Sequence, residues 1–337
     1  MPHEANLRLP GRRVGEQRFV TPGRPALVLG LLGMIALVSI CCFMTLGVKG
    51  NWGFVLPYRG QKLAGLLLVA CAVALSTVLF QTVTNNRILT PSIMGFDALY
   101  VLVQTGIMFF LGTGVFALMD PFLRFGMEVV LMIGFSGLLF RWLFLGEERS
   151  LHLVVLIGII CGVFFRSVSN FMQRMLDPNA FQVLQDSFFA SFSTIDPMLL
   201  KLSWVVVLAI VLLLWRMGHV FDVLNLGRAT AINLGVNYRR VVITILLIIS
   251  VLVAISTALV GPITFFGLLV ASLAHGLIGN SRHRYILPAA VLLAVICLVG
   301  GQTLLERVFA FDTALSIIIE FLGGIVFIVL VIRGAAR

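Results

Sequence analysis

Residues Val223–Arg240 read VLNLGRATAINLGVNYRR, a hydrophilic helix–turn–helix pattern set between two long apolar runs near mid-chain. Gly227 and Gly235 suit tight turns. Ala231 leaves room for close approach to a partner surface. A bundle that only conducts has little use for such an insert. A bundle worked by a soluble partner needs a handle outside the lipid, and this stretch is built like one.

The surroundings of the insert fix the solvent. Of the 337 residues, 60% are hydrophobic and 11% charged, with a mean hydropathy of +1.10. That little charge does not cover a water-soluble surface, whereas a bilayer accepts it. A helical span needs about 20 apolar residues, and runs of that order cover 26–48, 63–83, 92–118, 125–145, 151–172, 200–217, 240–260, 262–278, 286–305 and 314–333. The alternating period of a membrane barrel is absent. The expectation is an all-α polytopic membrane protein of about ten helices: a short N-terminal segment, 1–25, and a transmembrane domain over 26–337.

The net charge of +10 follows topology. An even number of spans puts both ends on one side, and most of the basic residues fall there, among them Arg12, Arg13, Arg239, Arg240, Arg282 and Arg284. The positive-inside bias places both termini in the cytoplasm and leaves no case for nucleic acid. The five cysteines lie in apolar runs without ligand spacing. No phosphate loop, HExxH motif or GxSxG elbow is present, so the chain reads as a non-enzyme. The histidines sit near helix ends, where capping suits them better than metal. An amphipathic piece, Phe181–Phe192, is expected as a surface helix in the longest outer loop, and Lys49–Lys62 as a turn-rich loop. Ala74-Leu75-Ser76-Thr77 recurs as Ala254-Ile255-Ser256-Thr257 five spans later, the offset of an inverted repeat. Asp97, Arg166 and Glu320 are ionisable groups inside spans and are expected to face the bundle interior or the path, or to pair with one another.

From residue 25 onward the chain resembles permease subunits of the FecCD family, bacterial ABC importers of ferric siderophores, haem and vitamin B12. The resemblance is carried by ALVGPITFFGLLVASLAHGLIGNSRHR at Ala258–Arg284 with Leu287-Pro288, by Leu226-Gly227…Ala231…Leu234-Gly235-Val236, and by Gly158-Ile159-Ile160-Cys161. It implies an inner-membrane permease that moves a ferric siderophore from periplasm to cytoplasm, with vitamin B12 or haem as other cargoes of the family. An ion-gradient-driven secondary transporter is the rival from another class. The implied partners are two ABC ATPase subunits, a periplasmic siderophore-binding protein and a second permease. Departures at Asn85–Pro91 and Ala271-Ser272 favour a different sister chain over a homodimer. ATP and Mg belong to the ATPase chains, and this chain binds no cofactor.

Site residues follow from the resemblance. Leu226, Gly227, Arg228, Ala231, Leu234 and Gly235 couple to the ATPase through two short helices over about 223–238. Arg228 stands where an acidic residue is usual. Arg59, Lys62 and Arg307 dock the binding protein. Asn85, Asn86, Pro91, Gly95 and Asp97 mark an inner gate on the translocation path.

Overall fold

A computed structural model describes residues 24–47, 50–144, 151–189, 191–192, 195–307 and 315–332. The N-terminal segment to residue 23, Lys49, Arg149, Arg333 and Arg337 lie outside the described residues.

Twelve α-helices and no strands occur among the described residues. They are α1 (Arg24–Thr45), α2 (Trp52–Thr84), α3 (Phe96–Leu118), α4 (Pro121–Phe144), α5 (Leu151–Gln173), α6 (Pro178–Phe188), α7 (Pro197–Leu224), α8 (Arg228–Asn233), α9 (Tyr238–Val260), α10 (Phe266–Ile278), α11 (His283–Arg307) and α12 (Leu315–Ile332). Ten of them match the ten apolar runs. Eight are long and apolar enough to cross a bilayer, while α10 and the apolar part of α12, Leu315–Val326, are shorter. The other two, α6 and α8, lie in the connections.

The helix ends follow local chemistry. The Asp196 carboxylate accepts the backbone N–H groups of Met198 and Leu199 at 2.8 and 3.1 Å, with Pro197 at the first helical position. Asp177 and Pro178 repeat the device at α6. These caps satisfy donors that the first turn leaves unpaired. Two boundaries depart from the sequence reading. The run from Trp52 to Lys62 is helical rather than a set of turns, because the Asn51 side chain caps α2 through the Gly53 N–H. The surface helix begins three residues earlier than expected, at Pro178.

Helices α2 and α9 form the centre, with 72% and 67% of their apolar windows buried, against 17% for α1. Each carries one copy of the short repeat, and the two pack together. Helix α2 also packs on α10 and α11, whereas α9 packs on α3 and α4. The halves α2–α5 and α9–α12 are therefore interlocked, each first helix seated in the other half.

The halves share a further device. After α2 the chain turns at Asn85 (φ 51°), re-enters the bundle through a 3-10 turn at Pro91–Met94, and starts α3 at Gly95 (φ 88°). A Cβ on Gly95 would lie 3.0 Å from the Gly162 Cα and 3.1 Å from the Gly158 carbonyl oxygen, so the start of α3 rests on the middle of α5. In the second half, Gly323 at mid-α12 leaves room for Phe265 at the start of α10. Small residues let backbone approach backbone where side chains would hold the helices apart.

Candidate functional site

Three polar regions stand out in this hydrocarbon bundle. The first lies where α3 and α10 begin. Ser76 and Thr77 from α2, Ser256 and Thr257 from α9, and Thr90, Ser92, Asp97 and Thr264 surround a cavity of about 20 Å³. That is room for one water. Both copies of the Ser-Thr repeat thus meet at one place. Ser76 and Ser256 turn their hydroxyl protons to the carbonyls of Val73 and Val253, leaving oxygen lone pairs toward the cavity. Asp97 is buried and one of its oxygens has no hydrogen-bond partner among the described residues. Arg166 and Glu320 act electrostatically on Asp97, and Glu320 accepts the Thr264 hydroxyl at 3.2 Å. The three charged groups picked out in the sequence therefore share a neighbourhood without forming a direct ion pair among the described residues.

The second region lies at the opposite ends of α2 and α7, beside α8. A cavity of about 380 Å³ is lined by Gln81, Asn85, Asn86, Arg87, Asn225, His275 and His283, among others. His283 is its fixed point. Its backbone N–H and Nδ1 reach Asp222 Oδ1 at 2.8 and 2.7 Å, and Nε2 lies 2.7 Å from Thr82 Oγ1. The carboxylate holds a proton on Nδ1. A hydroxyl–imidazole–carboxylate chain serves nucleophiles in hydrolases, but Thr82 sits inside α2 and also bonds the Val78 carbonyl at 2.9 Å. Here the chain ties the ends of α2, α7 and α11 together. The expected gate residues divide between the two cavities: Asn85 and Asn86 line the larger, Pro91 and Asp97 the smaller, and Gly95 supplies the turn beside the latter.

The mid-chain insert borders the second region. It contains one separate helix rather than two, since α7 runs on to Leu224 and supplies the first half. Gly227 (φ 93°) and Gly235 (φ 83°) bound α8. Leu226, Ile232 and Leu234 are 61%, 49% and 60% exposed, whereas Ala231 is fully buried. The small side chain of Ala231 thus permits close approach to its own subunit, not to a partner. The apolar tips lie around it. Arg228 is exposed, with its guanidinium 5.9 Å from the Tyr238 ring centre.

The third region lies on the face away from α8. Arg59 donates to the carbonyls of Phe43, Met44 and Leu46 at 2.9, 3.0 and 2.9 Å, and Arg307 donates to those of Leu46 and Gly47. Two cations thus cap the end of α1, where unpaired carbonyls gather. Lys62 is buried and paired with Glu306 at 2.7 Å, and Gln302 donates to the same carboxylate at 3.0 Å. Arg307 is exposed and Arg59 half-buried, while Lys62 faces inward.

One polar group escaped the sequence reading. Glu128 of α4 is buried and accepts from Gln104 at 2.5 Å and from Arg124 at 3.3 Å, while Arg124 also donates to Gln104 at 2.5 Å and covers the Phe116 ring at 4.3 Å. The spacing of Arg124 and Glu128, four apart in an apolar helix, is the signal that would have found it. No group of three or more His, Cys, Asp or Glu side chains suited to a metal exists among the described residues, and the five cysteines are unpaired.

Ten apolar helices, eight of them in two interlocked halves, with an exposed polar helix on one face, describe a membrane permease. Residues 27–333 match the FecCD transport family. The chain belongs to that family. It is 46% identical over 310 residues to the petrobactin import system permease protein YclO of Bacillus subtilis, covering 92% of this chain and 98% of that one. Identity to the corresponding protein FatC of Bacillus anthracis is 36% over 282 residues, covering 84% and 80%. A metal-chelate type ABC transporter solved in an inward-facing conformation shares the fold, with a TM-score of 0.79, 21% identity and coverage of 92% and 99%.

Proposed function

We propose that this chain is the permease subunit of an ATP-driven importer of a ferric siderophore of the petrobactin class. The observation that carries the reading is α8: an exposed, glycine-bounded helix with apolar tips, following directly on α7, whose end the Thr82–His283–Asp222 chain ties to α2 and α11. Such a piece serves a bundle moved from outside. The similarity to petrobactin permeases supports the cargo, being 46% against 26% for the vitamin B12 permease of Vibrio parahaemolyticus.

In this reading α8 and both termini face the cytoplasm, and Leu226, Ile232 and Leu234 enter a groove on an ATPase chain that holds ATP and Mg. Closure of the ATPase pair moves α8 and with it the end of α7. The His283 chain passes that movement to α2 and α11, and so to the re-entrant starts of α3 and α10. Asn85, Asn86, Pro91, Gly95 and Asp97 shift with them as the gate. On the outer face Arg59 and Arg307 meet acidic groups of a binding protein, where charge steers the encounter. Two petrobactin permeases of Bacillus anthracis, FatC and FatD, are both similar to this chain, at 36% and 26%, which favours a different sister chain as the second permease.

The test is uptake of iron-55 ferric petrobactin by a strain lacking this chain, with and without its return on a plasmid. Uptake is expected to vanish and to come back, and to stop on ATP depletion while the proton gradient is held. Undiminished uptake in the deletion strain overturns the cargo. Uptake that survives ATP loss and fails with the gradient overturns the motor.

A further inference from the structure

The larger cavity lies where α2, α7 and α10 end and α11 begins, and Asn225 joins it to the start of α8. Its volume of about 380 Å³ falls within the range of ligand pockets, about 300–1,000 Å³. Its wall is polar apart from Ile88 and Ile286, and no aspartate or glutamate among the described residues lines it.

Helix ends present free carbonyl oxygens, which repel an anion. Here the chain turns back on many of them. The N–H groups of Asn85 and Asn86 close on Gln81 and Thr82 of α2, those of Asn225 and Gly227 on Phe221 and Leu224 of α7, and that of Gly279 on His275 of α10. Donors face the cavity instead. The side chains of Asn85, Arg87, Asn225, His275 and Ser281 form no hydrogen bond or ion pair with any described residue. Asn86 spends its oxygen on the Ile88 N–H at 2.9 Å, which leaves its amide nitrogen to donate. Arg87 acts electrostatically on His275, so its charge sits at this wall. The nearby Asp222 carboxylate does not answer it, being taken by His283.

One fixed acceptor stands among these donors. Gln81 is 3% exposed, and its amide nitrogen donates to the Arg87 carbonyl at 2.7 Å. Its oxygen, Oε1, is buried at the cavity without a donor. A buried acceptor left open is costly, so a fitting ligand brings a proton as well as negative charge.

We propose that this cavity binds a small protonated oxyanion, inorganic phosphate in its hydrogenphosphate form. Arg87 takes the charge through parallel N–H donors, the asparagines and Ser281 donate to the remaining oxygens, and Gln81 accepts the P–OH proton. Sulfate has the same shape but no proton to give near neutral pH, so Gln81 selects against it. The role of the site rests on the importer reading above: ATPase chains seated at α8 release phosphate beside it. Bound phosphate joins the turn after α2 to the α7–α8 joint and slows the next stroke, a feedback by the motor's own product.

The experiment titrates the complete importer, purified without nucleotide, with inorganic phosphate and with sulfate at equal ionic strength, and follows heat of binding and thermal unfolding. Any phosphate held by the ATPase chains is common to wild type and variants, so the difference between them is the readout. Arg87→Gln, a change at an exposed side chain, is expected to weaken phosphate binding about tenfold, the size of one charge-assisted contact. Wild type should prefer phosphate to sulfate, and Gln81→Met should abolish that preference. Identical phosphate titrations of wild type and Arg87→Gln would overturn the site. Sulfate bound as tightly as phosphate in wild type would overturn the protonated ligand, whether or not Gln81→Met folds. In proteoliposomes, phosphate on the α8 side should slow ferric petrobactin uptake in wild type more than in Arg87→Gln, and equal slowing would overturn the feedback. Wild-type vesicles that import no ferric siderophore sink the importer reading itself, a result that the phosphate titration does not depend on.

Discussion

Buried charge decides two matters at the scale of the residue. Lys62 and Glu306 pair within the bundle, at 6% and 10% exposure, and removing Lys62 leaves the Glu306 carboxylate buried without its counter-charge. Lys62→Met should therefore destabilise the protein by about 3–5 kcal/mol. Lys62→Met with Glu306→Gln should lose much less, as no charge is stranded. Thermal unfolding of the detergent-purified complex measures both, and equal losses would show that packing rather than pairing holds that corner. Two glycines separate strain from contact in the same way. Gly95 and Gly227 both hold positive φ, but a Cβ on Gly95 meets the α5 backbone while one on Gly227 meets open space. Gly227→Ala is expected to cost about 1–3 kcal/mol of backbone strain alone, since its ψ of 163° lies in a region that is essentially glycine's own, and Gly95→Ala about 1–2 kcal/mol of left-handed strain plus the overlap with Gly162. A Gly95→Ala loss no larger than the left-handed strain alone would mean that α3 does not rest on α5. The sequence showed Gly95 and Asp97 as notable, but not why: the reason is Gly158 and Gly162 more than sixty residues away, and no local pattern names that partner.

Elements were more legible than their joints. Ten apolar runs became ten helices because hydrophobic length is a local property that lipid enforces. The re-entrant starts of α3 and α10 were hidden, since they depend on how deep each start sits beside another helix. The short repeat gave a true hint: its two Ser-Thr pairs line one cavity. The insert was legible as a polar break in the apolar pattern yet misread in detail, because Ala231 is buried and α7 supplies half of it. That difference sets the mutations. Leu226→Asp or Ile232→Asp puts charge on an exposed apolar tip and is expected to cut ATPase co-purification severalfold while α8 stays in place. Ala231→Asp buries a carboxylate with no partner and should instead loosen α8 itself, seen as faster proteolysis within 223–240 even without the ATPase. Loss of the ATPase from all three variants with no change in proteolysis would place Ala231 at the partner surface after all.

The whole molecule is a half-assembly. One subunit leaves Arg166 and Asn170 exposed on the outside of α5, within a span where bare lipid does not suit them, and a second permease is the partner expected to cover such a face. Most oligomers are built from identical chains, but if that face met its own two-fold copy, two Arg166 side chains would approach each other. Like charges repel strongly where water is excluded, which a different sister chain avoids. The existence of two distinct petrobactin permeases in Bacillus anthracis, each similar to this chain, points the same way. Co-expression of a tagged copy, an untagged copy and the neighbouring permease should therefore yield tagged chain with the neighbour and almost no untagged chain. Equal recovery of the untagged copy would establish the homodimer.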